Sequence, residues 1–335
     1  ATRRHRFHLK FGGPWSKNGV RRKLHGGKRR NAKVPKPVSP DAVILPPYYP
    51  DDPVMRQDWS EYLNSVLYVD QEVGEIMKSL EDDGLTENTV VFFITDHGIS
   101  HARGKQFLYE EGVHIPFIVR APGRIPAGEV RRDFVAHIDL AATSLYFAGI
   151  PIPEHLESRT LFGPGATSRE YIVSARDRCD ETVERLRSVR KGRFTYIRNY
   201  YPERPHLQPN AYKDAKAIIV RLRELYDNGE LAGHPAERLF TTPRPKEELY
   251  DRESDPWELN NLAEDPAYSK TLEELRGILD AWIAETNDRG QIPETEAAYD
   301  ADMAVYLEGQ KKAKDYVRIV MDNIAQMKSW AAEGK

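Results

Sequence analysis

One cysteine in 335 residues is the first scarcity of this chain. Cys179 alone excludes an internal disulfide framework and a cysteine-based zinc site, and it reads as a buried, inert thiol. Long apolar runs are missing too. Nothing approaches the ~20 residues of a bilayer-spanning helix, so no membrane partner is expected. The N-terminus also lacks the short apolar core of a secretory signal. The third scarcity is local. Residues 1–40 hold 13 Lys or Arg and no Asp or Glu, leaving 36 basic against 52 acidic residues in the remainder. Such an arm suits a polyanion, but no recognised nucleic-acid fold accompanies the charges. Its apolar residues are scattered without period, which predicts a disordered leader over 1–41 and no nucleic-acid partner.

What is present is concentrated in Val90 to Lys105, VVFFITDHGISHARGK. Apolar residues broken only by Thr95 run into Asp96-His97-Gly98, the pattern of a buried parallel strand delivering polar groups to the carboxyl edge of a sheet. A carboxylate beside an imidazole at such an edge is half a site for a divalent cation. Gly98 allows a sharp turn there, and Gly104-Lys105 returns an ammonium to the same mouth.

Around this segment, Asp51-Asp52-Pro53 marks a helix start, and Trp59, Leu63, Val66, Val73, Ile76, Met77 and Leu80 predict a helix over 54–82 that stops at Gly84. Ile115 to Val119 predicts the next strand, and Asp139 to Phe147 a helix ended by Gly149. One or two strands cannot complete a doubly wound core. From Tyr171 the texture changes: YIVSA, RLRSVR and FTYIRNYY predict an antiparallel sheet. Helices are predicted over 212–229, 270–286 and 299–332, and ELYDRESDPWELNNLAEDP reads as a linking stretch of turns and apolar anchors.

In order along the chain, Asp96-His97-Gly98, Gly104-Lys105, Glu111-Gly112, the strand Ile115-Pro116-Phe117-Ile118-Val119, and the helix from Ile138-Asp139-Leu140 to Ala148-Gly149-Ile150-Pro151 resemble the type I sulfatases of the alkaline phosphatase superfamily. Arg187-Ser188-Val189-Arg190, Phe194-Thr195-Tyr196-Ile197, Glu248-Leu249-Tyr250-Asp251, Asp255-Pro256, Asn261-Leu262-Ala263 and Asp265-Pro266 are most like heparan N-sulfatase (sulfamidase) and its bacterial relatives. The resemblance covers about residues 42–290. It implies an alkaline-phosphatase-like α/β sheet, incomplete in this chain, over 42–165, and a smaller C-terminal α+β subdomain over 166–335.

The resemblance further implies a metal-assisted hydrolase of sulfated saccharides or aryl sulfates, acting on a sulfate ester or N-sulfate outside the cytoplasm. Asp96 and His97 would be metal ligands. Ca2+ is the first candidate because hard carboxylate oxygen suits it, while imidazole leaves room for Mg2+, Mn2+ or Zn2+. Lys105 would be the catalytic cation. His101 and Arg103 in the same loop, and Asp180 and Glu181 in the charged turn 176–181, would touch substrate. The departure is equally clear. The Cys/Ser-x-Pro-x-Arg loop that supplies the family's nucleophile is not in this sequence, since Cys179 is followed by Asp180-Glu181-Thr182, and the paired N-terminal aspartates are absent as well. Two other readings stay open: a phosphodiesterase or phosphonate monoester hydrolase of the same superfamily, and a non-catalytic polyanion-binding fragment.

Overall fold

The computed structural model describes residues 34–310 and 314–335. The basic leader therefore lies outside the described residues as far as position 33. The part that is described, 34–41, is ordered. Val34 is buried, and Val38 donates its N–H to Asn64 Oδ1 (2.7 Å) while its carbonyl accepts from Ser60 Oγ (2.7 Å). Ser60 and Asn64 stand one turn apart on helix α1 (Pro53–Asp82), so two buried polar side chains hold an extended strap by its backbone. Sequence reasoning starts order at Ala42 because polar helix positions look solvent-facing.

The chain divides into two compact units. The first comprises residues up to Ile44, Arg56–Phe92 and Val119–Arg169. It holds most of α1 and all of α2 (Asp139–Ala148). Asp139, at the start of α2, is 1% exposed. The carboxylate accepts from the N–H groups of Ala136 and Arg159, both at 2.9 Å, and from both sides of the Arg169 guanidinium. Burial works to raise its pKa, but these donors hold it below the ordinary carboxylate range. Asp139 is thus a buried hub rather than a simple helix-start residue.

The second unit comprises Leu45–Met55, Phe93–Ile118 and Glu170–Lys335. The last change of unit falls at 169/170, and two earlier segments belong with the C-terminal part. Four antiparallel strands, β3 (Tyr171–Cys179), β4 (Thr182–Lys191), β5 (Phe194–Asn199) and β6 (Glu247–Asp251), pair in sequence order. Two-residue turns at Asp180-Glu181 and Gly192-Arg193 fix the registers Cys179↔Thr182 and Lys191↔Phe194. Gly192 and Asp180 occupy left-handed backbone, the conformation such turns require. Strand β6 falls inside the stretch read from sequence as a linker. Its apolar residues are too few to mark a strand, and pairing with β5 supplies the rest. One face of the sheet buries Val189, Tyr196 and Leu249 against Leu272, Leu275 and Leu279 of α3 (Ser269–Thr286). Each such leucine contributes roughly 1.5–3 kcal/mol.

Two helical expectations are corrected. The span 212–229 breaks into α4 (Ala211–Asp214) and α5 (Ala217–Asp227), with Lys216 extended between them. The span 299–332 is two helices, α6 (Glu296–Gly309) and α7 (Lys314–Ala332). Strands β1 (Val91–Ile94) and β2 (Phe117–Arg120) pair as a two-stranded sheet. Their burial departs from expectation: every residue of β1 is only half-buried, and Ile118 of β2 is 60% exposed. A two-stranded sheet cannot cover both faces of apolar strands.

Candidate active site

The loop leaving β1 closes on itself through backbone contacts. Gly98 N–H donates to Gly112 O (3.0 Å), Lys105 N–H to Ile99 O (2.7 Å) and Phe107 N–H to Gly104 O (2.9 Å). The glycines at 98, 104 and 112 are required for space. A Cβ on Gly98 would stand 1.9 Å from Glu111 O, one on Gly104 1.9 Å from Ile99 O, and one on Gly112 2.2 Å from Phe107 O. None of the three has positive φ. The sharp turn expected at Gly98 is therefore a close backbone approach instead.

At the loop's entrance the Asp96 side chain is 86% exposed and that of His97 is 33% exposed. His97 Nδ1 lies 2.7 Å from Gly98 O. A carbonyl accepts only, so Nδ1 carries the proton. His97 Nε2 then lies 3.4 Å from Asp96 Oδ2. In a neutral ring that nitrogen presents a lone pair to a carboxylate, which is unfavourable unless a positive charge sits with them. An imidazolium or a bound cation satisfies the arrangement, and fixing Nδ1–H on a carbonyl is how metal-binding histidines are oriented. In donor type and aim the two residues fit a divalent ion. No cluster of three or more His, Cys, Asp or Glu suited to a metal occurs among the described residues, so this pair does not by itself make a complete metal site.

The other loop residues divide between surface and interior. The Lys105 ammonium stands 4.8 Å from the centre of the Tyr212 ring. His101 is buried, with its ring edge-on to Tyr49 at 6.3 Å. Arg103 is buried as well. Its guanidinium donates to Trp257 O (2.5 Å) and Glu258 O (2.8 Å) and lies between the rings of Tyr48 (4.7 Å) and Tyr109 (4.0 Å). That geometry makes Arg103 a clamp on the 257–258 backbone. Asp180 borders an open cleft of about 420 Å3 with Arg178, Asp302 and Tyr306. Glu181 turns inward instead. Oε1 accepts from Ala211 N–H (2.6 Å) and Asn323 Nδ2 (2.8 Å), and burial raises its pKa. The structure brings Asp96 and His97 together, sets Lys105 on Tyr212, and puts Arg103 and Glu181 into the packing.

Several contributors escaped sequence reasoning. Lys213 is fully buried and donates from Nζ to His101 O (3.0 Å) and Ala102 O (3.3 Å). Burial, reinforced by the Arg176 charge, holds its pKa well below the usual lysine value. Lys216 Nζ donates to Ser100 O and to Ser100 Oγ (2.7 Å). Arg176 donates to Gln106 O (2.5 Å), fixing a residue in left-handed backbone, and Gln106 Nε2 reaches Cys179 Sγ at 3.0 Å. Glu111 is half-buried beside Tyr48, and desolvation of its carboxylate raises its pKa. In sequence these lysines sit in AYKDAK, an ordinary polar helix fragment with no signal of burial.

The signature residues of the C-terminal half are likewise structural. Arg187 is 1% exposed at its side chain and paired with Asp177 (2.7 Å) and Asp288 (2.8 Å). Arg190 pairs with Glu110. Asp255 Oδ2 accepts the N–H groups of Leu259 and Asn260, both at 2.7 Å. Asn261 Oδ1 accepts those of Leu249 (2.9 Å) and Ala263 (3.0 Å).

A strand ending in Asp-His-Gly, a glycine-packed loop and a four-stranded antiparallel sheet backed by a helix define the class, an α/β fold of the alkaline phosphatase type. The structure agrees with that of a protein solved in complex with its substrate D-glucosamine-2-N,6-O-disulfate at a TM-score of 0.53 and 22% identity, covering 73% of this chain and 45% of that one. Residues 13–150 match the family model described as Sulfatase, and residues 97–207 the one described as N-sulphoglucosamine sulphohydrolase, C-terminal. Over residues 13–207 the chain carries sequence of the sulfatase family. An ulvan-active sulfatase of Formosa agariphila is 35% identical over 81% of this chain and 46% of its own length. The N-sulphoglucosamine sulphohydrolase of Homo sapiens is 29% identical over 76% of this chain and 53% of its own. The chain thus spans about half the length of the curated relatives it matches. The first match begins within the basic segment.

Proposed function

We propose that this chain is the part of a sulfuric ester hydrolase that grips the sulfate group of a glycan, a sulfate ester or N-sulfate on an amino sugar, outside the cytoplasm. The carrying observation is the Asp96–His97 pair, whose facing carboxylate and Nε2 ask for a cation. Asp96 and His97 would hold a divalent ion, with Ca2+ first among Ca2+, Mg2+, Mn2+ and Zn2+. Such an ion supplies charge stabilisation at a sulfate oxygen. Lys105 neutralises a second oxygen from the other end of the closed loop. Its ammonium rests on an aromatic face rather than a carboxylate, so it remains free to meet an anion. Lys213 and the three glycines keep the loop from collapsing when that charge arrives. Asp180, on its own cleft, meets hydroxyl or amino groups of sugar, and His101 shapes the wall behind the loop. The match to the N-sulphoglucosamine sulphohydrolase C-terminal model supports an amino-sugar substrate over a phosphodiester.

The test is calorimetric titration of the 335-residue chain with Ca2+ and with N-sulfated glucosamine. Asp96→Ala and His97→Ala are expected each to weaken Ca2+ binding by about tenfold or more, and Lys105→Ala to weaken sugar binding by about tenfold. Sugar binding indifferent to Lys105→Ala, together with Ca2+ binding indifferent to both other changes, refutes the reading.

A further inference from the structure

Helices α6 and α7 lie outside both matched family models, neither of which extends beyond residue 207. They nevertheless hold the turn between β3 and β4. Tyr299 of α6 donates its hydroxyl to Glu181 O (2.7 Å), and Asn323 of α7 donates to Glu181 Oε1 (2.8 Å). Where α6 meets that turn lies the open cleft of about 420 Å3, lined by Arg178 and Asp180 and by Asp302, Met303, Val305 and Tyr306. Asp302, Val305 and Tyr306 are three and four positions apart, so one face of the helix supplies them.

The lining is mixed in the way a sugar ring requires. Met303 is buried and Val305 is 73% exposed, so apolar surface runs from the interior to the rim. The Tyr306 hydroxyl lies 2.7 Å from that of Tyr316, which fixes its half-buried ring. An aromatic ring takes the C–H face of a sugar, and carboxylates accept from its hydroxyls. The volume falls in the range of small-ligand pockets, about 300–1,000 Å3. Charge narrows the choice. The Arg178 guanidinium already meets Asp302 and, at 3.3 Å, Glu294. The Asp180 carboxylate then leaves an excess of negative charge, which repels a second sulfate or a uronate. The cleft also neighbours the Lys105 loop. Gln106, next to Lys105, reaches Cys179 Sγ at 3.0 Å, one residue before Asp180. Helix α7 packs on α4, which carries the Tyr212 ring against which Lys105 rests, and the Tyr212 phenol acts electrostatically on Tyr316.

We infer that the cleft between the 178–180 turn and α6 is a subsite for an uncharged sugar joined to the sulfated one, so that the chain prefers an oligosaccharide to a single sulfated sugar. This rests on the proposed function of the Lys105 loop. Tyr306 and Val305 are then specificity residues: they raise affinity for the longer ligand and leave that for the single sugar almost unaffected.

The test measures binding of the full 335-residue chain to N-sulfated glucosamine and to a disaccharide that joins it to N-acetylglucosamine. The disaccharide is expected to bind about tenfold more tightly. Tyr306→Ala is expected to remove that advantage and to change affinity for the single sugar less than about twofold. Val305→Asp, at an exposed position where substitution leaves the fold intact, reduces the advantage in the same direction, and an unchanged melting temperature separates lost contact from lost structure. A disaccharide with a uronate as second sugar is expected to gain less than about twofold over the single sugar. Equal affinity for the single sugar and the neutral disaccharide, or equal losses on both in the two variants, overturns the subsite. A uronate disaccharide that binds as tightly as the neutral one overturns its selection of an uncharged sugar. Lys105→Met without effect on the single sugar sinks the underlying reading instead, and an unaltered chain that binds neither sugar sinks both.

Discussion

The two-stranded sheet and the four-stranded sheet of this chain solve opposite problems. Strands β1 and β2 are almost wholly apolar, yet they remain half-buried, with Ile118 largely exposed. Strand β4 carries three arginines, a lysine and a glutamate, yet Glu184 and Arg187 are 1% exposed. Hydropathy alone ranks them the wrong way round. Burial follows the number of layers available to cover a strand, and charge goes inside where each ion meets its counter-ion with good geometry. Glu184 shows this most fully. Arg244 reaches both carboxylate oxygens (2.5 and 2.8 Å), Gln208 adds a third donor at 2.9 Å, and both ionic side chains are at most 1% exposed.

The sharpest way to break the contrast is to strand one of those ions. Arg244→Met leaves Glu184 buried without its cation and is expected to destabilise the fold by about 3–5 kcal/mol, read from chemical denaturation. The same network predicts acid sensitivity. Burial would raise the Glu184 pKa, but Arg244 holds it down to about 2. A depressed carboxyl contributes stability above its unfolded value, and that stability is lost as pH falls from the ordinary range of about 4.5 through about 2. His206, in the same buried region, is lowered to about 4 by burial. Its neutral ring favours folding above the ordinary histidine value, an advantage lost as pH falls from about 6.5 through about 4. Melting curves should therefore decline in two stages on acidification, and His206→Asn should flatten the upper one. A single stage confined to pH below 4 contradicts the assignment.

Next in size, Leu275→Ala opens a cavity in the four-stranded unit, with an expected loss of about 3 kcal/mol. Ile118→Ala, an equally apolar strand or helix residue by sequence, should change stability by less than about 0.5 kcal/mol. Similar losses at both would erase the difference between the sheets. The same logic sharpens the loop. Arg103→Met leaves two carbonyls unpaired and is expected to lower stability by about 2 kcal/mol, whereas Lys105→Met should leave the melting temperature nearly unchanged and act on sulfate binding alone.

Much of this was legible in the sequence, and the rest was hidden for identifiable reasons. The helix from Pro53, the strand before Asp96 and the antiparallel sheet after Tyr171 announce themselves through periodicity and turn chemistry, which are local properties. Strand β6 does not, because ELYD becomes a strand only by pairing with Phe194–Arg198. The long C-terminal helix conceals its break near Gly309 because the apolar stripe continues on both sides. At the candidate site, Asp96 and His97 were visible from their place after an apolar run. Arg103 read as a substrate contact in the same loop as Lys105, and only the carbonyls of Trp257 and Glu258 and the rings of Tyr48 and Tyr109 show it to be packing. Lys213 and Lys216 differ by three positions and share a neighbourhood, but one is fully enclosed and the other is not. No sequence pattern separates them.

Cys179 closes the β3 side of its hairpin, half-buried, with its sulfur 3.0 Å from the Gln106 amide one residue beyond Lys105. Because it is the sole thiol in the chain, a fluorophore coupled there would label each molecule at one defined point. The emission of that dye would report on the strained backbone next to the proposed sulfate-gripping cation, giving ligand arrival an optical signal that does not depend on turnover.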